Sequence, residues 1–151
     1  MNNELKTKAE LALEIARAMA ELRNCLRNFK QAKIREHGIN LTYEMLEILA
    51  ELWKKDGINQ QELADLTVRD KSSMTYLIDN LVKRKYVKRL EDETDRRNKL
   101  IFLTDEGKAL KEQLLPWFAE VYEMSATDVD VIKLEEGVSL LNKMISNLKP
   151  Q

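Results

Sequence analysis

The side chains best placed to do chemistry gather between positions 70 and 99. In the run DKSSMTYLIDNLVK, Met74, Leu77, Ile78 and Leu81 recur at i, i+3, i+4, i+7, which makes one apolar face of a helix. Ser72, Tyr76, Asp79 and Lys83 centre the opposite face, Ser73, Thr75 and Asn80 flank it, and Lys71 sits in the first turn. Hydroxyl, amide and ammonium groups in such an array hydrogen-bond base edges and phosphates. A merely solvated surface would look similar, so the neighbouring sequence has to decide. Val87–Leu90 and Lys99–Leu103 alternate as two short strands. Between them lies the tip EDETDRRN, whose Arg96 and Arg97 can enter a narrow minor groove.

The preceding residues supply what must position this face. Asn59 caps a short helix, with Glu62 at capping-box spacing and Leu63, Ala64 and Leu66 expected to face inward. Thr67-Val68-Arg69 forms the turn. Asp70 caps the second helix with a negative charge at the positive end of its dipole. The sum is a helix-turn-helix followed by a wing. Charge follows the same division. Arg69 to Lys99 holds 10 basic and 6 acidic residues, or +4; against 25 basic and 26 acidic overall, the remainder carries −5. Phosphate neutralisation supplies much of the affinity for duplex DNA, so this local excess matters more than the net charge of −1.

The rest of the chain reads as helices. From about Glu4 to Glu36, Leu11, Ile15, Ala18, Leu22, Cys25 and Phe29 form an apolar stripe, which ends near His37-Gly38. Cys25 on that stripe reads as a buried thiol, and His37 as a partner for the last carbonyls. Thr42 caps a second helix with Met45, Leu46, Leu49, Leu52 and Trp53 inward, and Asp56-Gly57 is a turn. After the wing, Thr104 caps a helix carrying Leu110, Leu114, Trp117, Phe118 and Val121, which Pro116 is expected to kink or break. A last helix is expected to begin at Ser125, with Asp128 at capping-box spacing. Its stripe is Leu134, Val138, Leu141, Ile145 and Leu148. A winged core of about a hundred residues cannot cover stripes at both ends, so burial of apolar area favours a two-fold dimer. Such a dimer sets two reading helices about 34 Å apart. The alternative is that the terminal helices pack only on each other within one chain.

Composition excludes much else. One His and one Cys cannot make a common zinc site, and nothing marks a glycine-rich phosphate loop or a nucleophile. No catalytic residue, metal or cofactor is expected, and the protein is not read as an enzyme. No stretch is apolar enough to span a membrane, the N-terminus reads as no secretory signal, and one Cys cannot form an internal disulfide. A cytoplasmic location is therefore expected.

The runs LTYEMLEIL, QQELADLTVRDKSSMTYLIDNLVKRKYVKR and DETDRRNKLIFLTDEGKAL resemble the MarR family of transcription regulators over nearly the whole chain. The most specific piece is Asp95-Arg96-Arg97 followed by Leu103-Thr104-Asp105-Glu106-Gly107. The resemblance implies a mainly α fold with a small β-wing, as one domain over 1–151. Residues 41–104 would form the winged helix-turn-helix lobe, and 4–37 with 105–148 the dimerisation helices. It also implies a homodimer on a pseudo-palindromic operator in double-stranded DNA, a third short strand at Ile58, Asp95 bracing the wing and Arg97 in the minor groove. Ser72, Ser73, Thr75 and Tyr76 match positions facing the major groove, with Lys71 and Lys83 counted among the DNA contacts. Two departures stand out. Many members have Arg where this chain has Tyr76, and Gly where it has Lys85. A left-handed Lys85 would cost about 1 kcal/mol.

The expected function is thus a DNA-binding transcription regulator, with release by a small aromatic or anionic effector. Tyr43, Trp53, Trp117 and Phe118 are candidate pocket residues, although plain core is the simpler reading of each. The rivals are a winged-helix protein–protein adaptor without DNA binding and a peroxide sensor based on Cys25. The redox branch of the family carries its reactive Cys near the start of the first helix, whereas Cys25 lies past the middle.

Overall fold

The computed structural model describes residues 5–150. The element order is α1 (Lys8–Glu36), α2 (Tyr43–Lys54), β1 (Ile58–Asn59), α3 (Gln60–Leu66), α4 (Lys71–Lys83), β2 (Val87–Glu91), β3 (Lys99–Leu103), α5 (Asp105–Ser125) and α6 (Val131–Leu148). The fold is mainly helical with a small three-stranded antiparallel sheet in the order β1-β3-β2. Val87 pairs Leu103 and Glu91 pairs Lys99, while Ile58 pairs Ile101.

Helix boundaries follow from caps. α1 starts at Lys8, because Thr7 and Glu10 form a full capping box: Glu10 N donates to Thr7 Oγ1 (3.2 Å) and Thr7 N to Glu10 Oε2 (2.7 Å). The expected start at Glu4 lies outside the described residues. α1 ends in a Schellman turn, with Gly38 at φ +70° and Ile39 N donating to Ile34 O. His37 Nδ1 lies 2.8 Å from Lys33 O, and its ring stacks on Trp117. Thr42, Asp70 and Thr104 cap α2, α4 and α5, as their positions in sequence suggested.

Four expectations need correction. At Asn59 the side chain accepts from Gln61 N (2.7 Å), one residue short of the box expected with Glu62. Leu66 is 51% exposed: α3 is only two turns long, and its inward face is filled by Leu63 and Ala64. Of the kink or break expected at Pro116, the break does not occur: α5 is continuous through it. Proline forfeits one backbone bond, but Pro116 faces solvent, and Leu110, Leu114 and Val121 are buried on either side of it. Ser125 therefore closes α5, its hydroxyl on Tyr122 O, instead of opening the last helix; Asp130 caps α6.

The core sits between α2, α3, α4, α5 and the sheet. Ile48, Leu49, Leu52, Leu63, Met74, Ile78, Leu81, Ile101 and Leu114 are buried there. α5 is seated tightly against the end of α4. A Cβ on Gly107 would lie 2.1 Å from Tyr86 O, so only glycine lets the backbones approach this closely. Trp53 Nε1 donates to Gly107 O (3.0 Å) across the same junction. By contrast, α6 buries no residue; Val131, Val138 and Leu148 are all more than half exposed.

Candidate nucleic-acid interface

α4 projects a polar face because its apolar residues are spent on the core. Met74, Leu77, Ile78 and Leu81 are buried, while Lys71, Ser72, Ser73, Thr75, Tyr76 and Lys83 are exposed. Asp70 Oδ1 accepts from Ser73 N (2.7 Å), and that bond holds the Asp70 carboxyl below the usual carboxylate range. Two non-glycine residues in the left-handed region frame the helix. Val68 (φ 52°) makes the turn before it. Lys85 (φ 63°) closes it, with Tyr86 N donating to Leu81 O as in a Schellman motif.

The wing is braced by two aspartates. Asp95 Oδ1 accepts from Arg97 N (3.0 Å), and Asp95 O accepts from Asn98 N (2.9 Å). Asp92, which sequence reasoning missed, accepts from both Thr94 Oγ1 (2.7 Å) and Thr94 N (2.9 Å). Those bonds, the hydroxyl's first, lower its pKa. The D-x-T spacing of an Asx turn was the available signal. Arg96 and Arg97 stay exposed.

Arg89 ties wing to helix. Its Nη2 donates to Asp79 Oδ1 (2.8 Å) and its Nε to Gln60 Oε1 (3.2 Å). Gln60 Nε2 donates to Thr75 Oγ1 (3.1 Å), which donates to Lys71 O (3.0 Å). Nothing in the sequence signalled this chain, because its members come from three elements. Beside it runs a groove of about 320 Å³ between α3, α4 and the wing, lined by Lys71, Thr75, Arg89, Arg97 and Lys99 among others. The structure thus brings Lys71, Thr75 and Arg97 together on one basic groove. Ser72 and Tyr76 stand on the adjoining face, and Lys83 lies two turns beyond Tyr76 on the exposed side of α4.

The aromatic candidates are dispersed. Tyr43, Trp53, Trp117 and Phe118 are all half-buried at the rim of the core. Arg27 lies over the Tyr43 ring (4.6 Å), Lys30 over Phe118 (5.1 Å), and Trp117 stacks on His37. Glu44, near Arg27 (3.0 Å), has a lowered pKa, chiefly because its carboxylate accepts its own backbone N–H. Cys25 is exposed, contrary to the buried thiol expected. It lines an apolar depression with Leu22, Leu26, Phe29, Val121 and Met124. The stripe it belongs to is only partly covered within one chain, since Leu22 and Phe29 are half exposed as well. Among the described residues no three His, Cys, Asp or Glu side chains are grouped to hold a metal, and no helix is long and apolar enough to cross a membrane.

Comparison with known proteins gives the arrangement a context. The model of the MarR family matches residues 41–99, which include α4, β2 and the tip of the wing. The chain is 34% identical over 74 residues to the HTH-type transcriptional regulator TtmR of Methylorubrum extorquens, covering 49% of this chain and 38% of that protein. It is 31% identical over 96 residues to the HTH-type transcriptional regulator SarZ of Staphylococcus aureus, covering 60% of this chain and 65% of that one. Both matches thus span less than two thirds of these curated relatives. A MarR transcriptional regulator from Methanosarcina mazei superposes with a TM-score of 0.78 at 30% identity, covering 88% of this chain and 94% of that one. With sequence, fold and coverage in agreement, the chain belongs to the MarR family.

Proposed function

We propose that this protein is a sequence-specific DNA-binding transcription regulator acting as a homodimer on a pseudo-palindromic operator. The observation that carries the reading is the basic groove joining α4 to the wing. Lys71, Arg89, Arg97 and Lys99 line it, and the exposed hydroxyls of α4 adjoin it. A helix in the major groove with an arginine in the next minor groove needs this placement. The test is duplex binding across a salt series. Binding that weakens steeply with salt, and weakens further in Arg97→Ala, supports the reading. No affinity at low salt favours a protein–protein adaptor instead.

Exposed surface supports the dimer. The chain exposes 11387 Å², where a compact monomer of 17.6 kDa exposes about 7,900 Å². The surplus, about 3,500 Å² per chain, exceeds the roughly 1,000–2,500 Å² per partner that obligate interfaces bury, so it has room for a large one. It includes the apolar stripes of α1 and α6, which the family resemblance assigns to dimerisation.

We further propose that the regulator is a repressor released by a small aromatic or anionic effector. Arg27 with Tyr43, and Lys30 with Phe118, offer cation and aromatic surface where α1 meets α2 and α5. Such an effector must bind the DNA-incompetent arrangement more tightly, or it shifts nothing. A peroxide-responsive regulator is the second reading, since Cys25 is exposed in the single chain, although the proposed dimer would cover the stripe it lies on. A response unchanged in Cys25→Ser would eliminate it.

A further inference from the structure

Hydrogen-bond bookkeeping on α4 shows which side chains remain free to read bases. Bidentate recognition of guanine takes Arg or Lys, of adenine Asn or Gln, and of cytosine a carboxylate. On this face most such groups are already engaged. Asp79 is held by Arg89 (2.8 Å). Gln60 spans Arg89 and Thr75. Asn80 Nδ2 donates to Tyr76 O (2.8 Å), while its Oδ1 accepts from Arg84 (3.1 Å). Arg69, behind the turn, is paired with Glu47. Lys71 lines both the wing-side groove with Arg97 and the depression beside Tyr76, but its ammonium is a point charge without the rigid bidentate fork of Arg. Lys83 lies three turns further along α4, about 18 Å from Lys71 and away from the N-terminal residues that reach base edges.

Besides the short hydroxyls of Ser72 and Ser73, which bond to any base, what stands free is Tyr76. It is 67% exposed and forms a ridge between two shallow depressions, one shared with Lys71, Ser72, Thr75 and Asp79 and the other with Ser72, Ser73 and Leu77 among others. Its exposed ring offers apolar surface on the face of α4 opposite the core. The one apolar feature that distinguishes bases in the major groove is the 5-methyl of thymine. We propose that Tyr76 is the principal base-discriminating residue of α4 and that it selects thymine through that methyl group. The half-site is accordingly read in the major groove without a bidentate guanine contact. This rests on the DNA-binding reading above and adds the class of sequence recognised.

The test starts with full-length protein and a random-sequence duplex pool at 50 mM salt, where phosphate contacts keep even weakened variants measurable. In the selected duplex, each thymine of one half-site is replaced in turn by deoxyuridine, which removes only the methyl. The expected result is one position per half-site at which the replacement weakens binding about fourfold, the worth of one buried methyl group. Tyr76→Phe should keep that discrimination and Tyr76→Ala should abolish it, with thermal melts unchanged because the residue is exposed. The inference is overturned if deoxyuridine binds as well as thymidine at every position, or if Tyr76→Ala still discriminates. It is equally overturned if 7-deazaguanine at a selected guanine weakens binding more than any methyl removal does. A pool from which no duplex is retained overturns the DNA-binding reading and this inference together.

Discussion

Val68 and Lys85 adopt a backbone conformation that L-residues with a Cβ resist, at φ 52° and 63°. Both sit at the C′ position of a Schellman turn, where glycine is the usual occupant. A β-branched residue there is a strong departure, because its second γ-carbon crowds the carbonyl. Lys85→Gly is therefore expected to stabilise the fold by about 1 kcal/mol, and Val68→Gly by at least as much, as read from urea unfolding. The sequence exposed half of this. The position of Lys85 stood out by its resemblance to a glycine position, and the left-handed turn was foreseen as a cost. Val68 gave no warning, since nothing in T-V-R distinguishes a left-handed valine from an extended one. Leu66 misled for a related reason: periodicity assigns a face, but a helix of seven residues is too short to use all of it.

At the level of single elements, ionised carboxylates hold both parts of the reading unit in shape. Asp70 caps α4 and Asp92 ties the wing tip, and each has its pKa lowered below the ordinary value of 3.8 by the backbone and hydroxyl bonds it accepts. A depressed folded pKa contributes stability above the ordinary value, and that contribution is lost as pH falls through the folded one. Thermal stability is therefore expected to be flat from pH 7 down to about 5 and to fall below about 4. Asp70→Asn, which caps without titrating, should flatten part of the acid limb in melts monitored by circular dichroism. The caps of α2, α4 and α5 were legible because Thr or Asp stood just before an apolar period. The end of α5 was not. Pro116 is a local prohibition, and burial of Leu114 and Val121 overrode it.

For the whole molecule, the balance of surface and core decides. α6 has no buried residue, yet it repeats Leu134, Val138, Leu141 and Ile145 on one side. If that side packs on a second copy, Leu134→Glu with Val138→Glu should yield monomers in sedimentation and lower affinity for a two-half-site duplex. Unchanged dimer mass in the double variant would refute the assignment. The same balance explains Cys25. The stripe correctly marked it as apolar surroundings, but a sequence does not say whether the cover comes from its own chain.

The Arg89 bridge carries one more implication. It fastens β2 to α4 through Asp79 and to α3 through Gln60, so in the proposed complex Arg97 and Tyr76 would be held in one register along the duplex. On that reading they would work like two teeth of one key. An operator lengthened by a single base pair between the two contacts would displace one tooth by about 3.4 Å and rotate it by roughly a tenth of a turn. Affinity for that operator should fall as far as it does when either contact is deleted. In Arg89→Ala, with the teeth uncoupled, the lengthened operator should be penalised less.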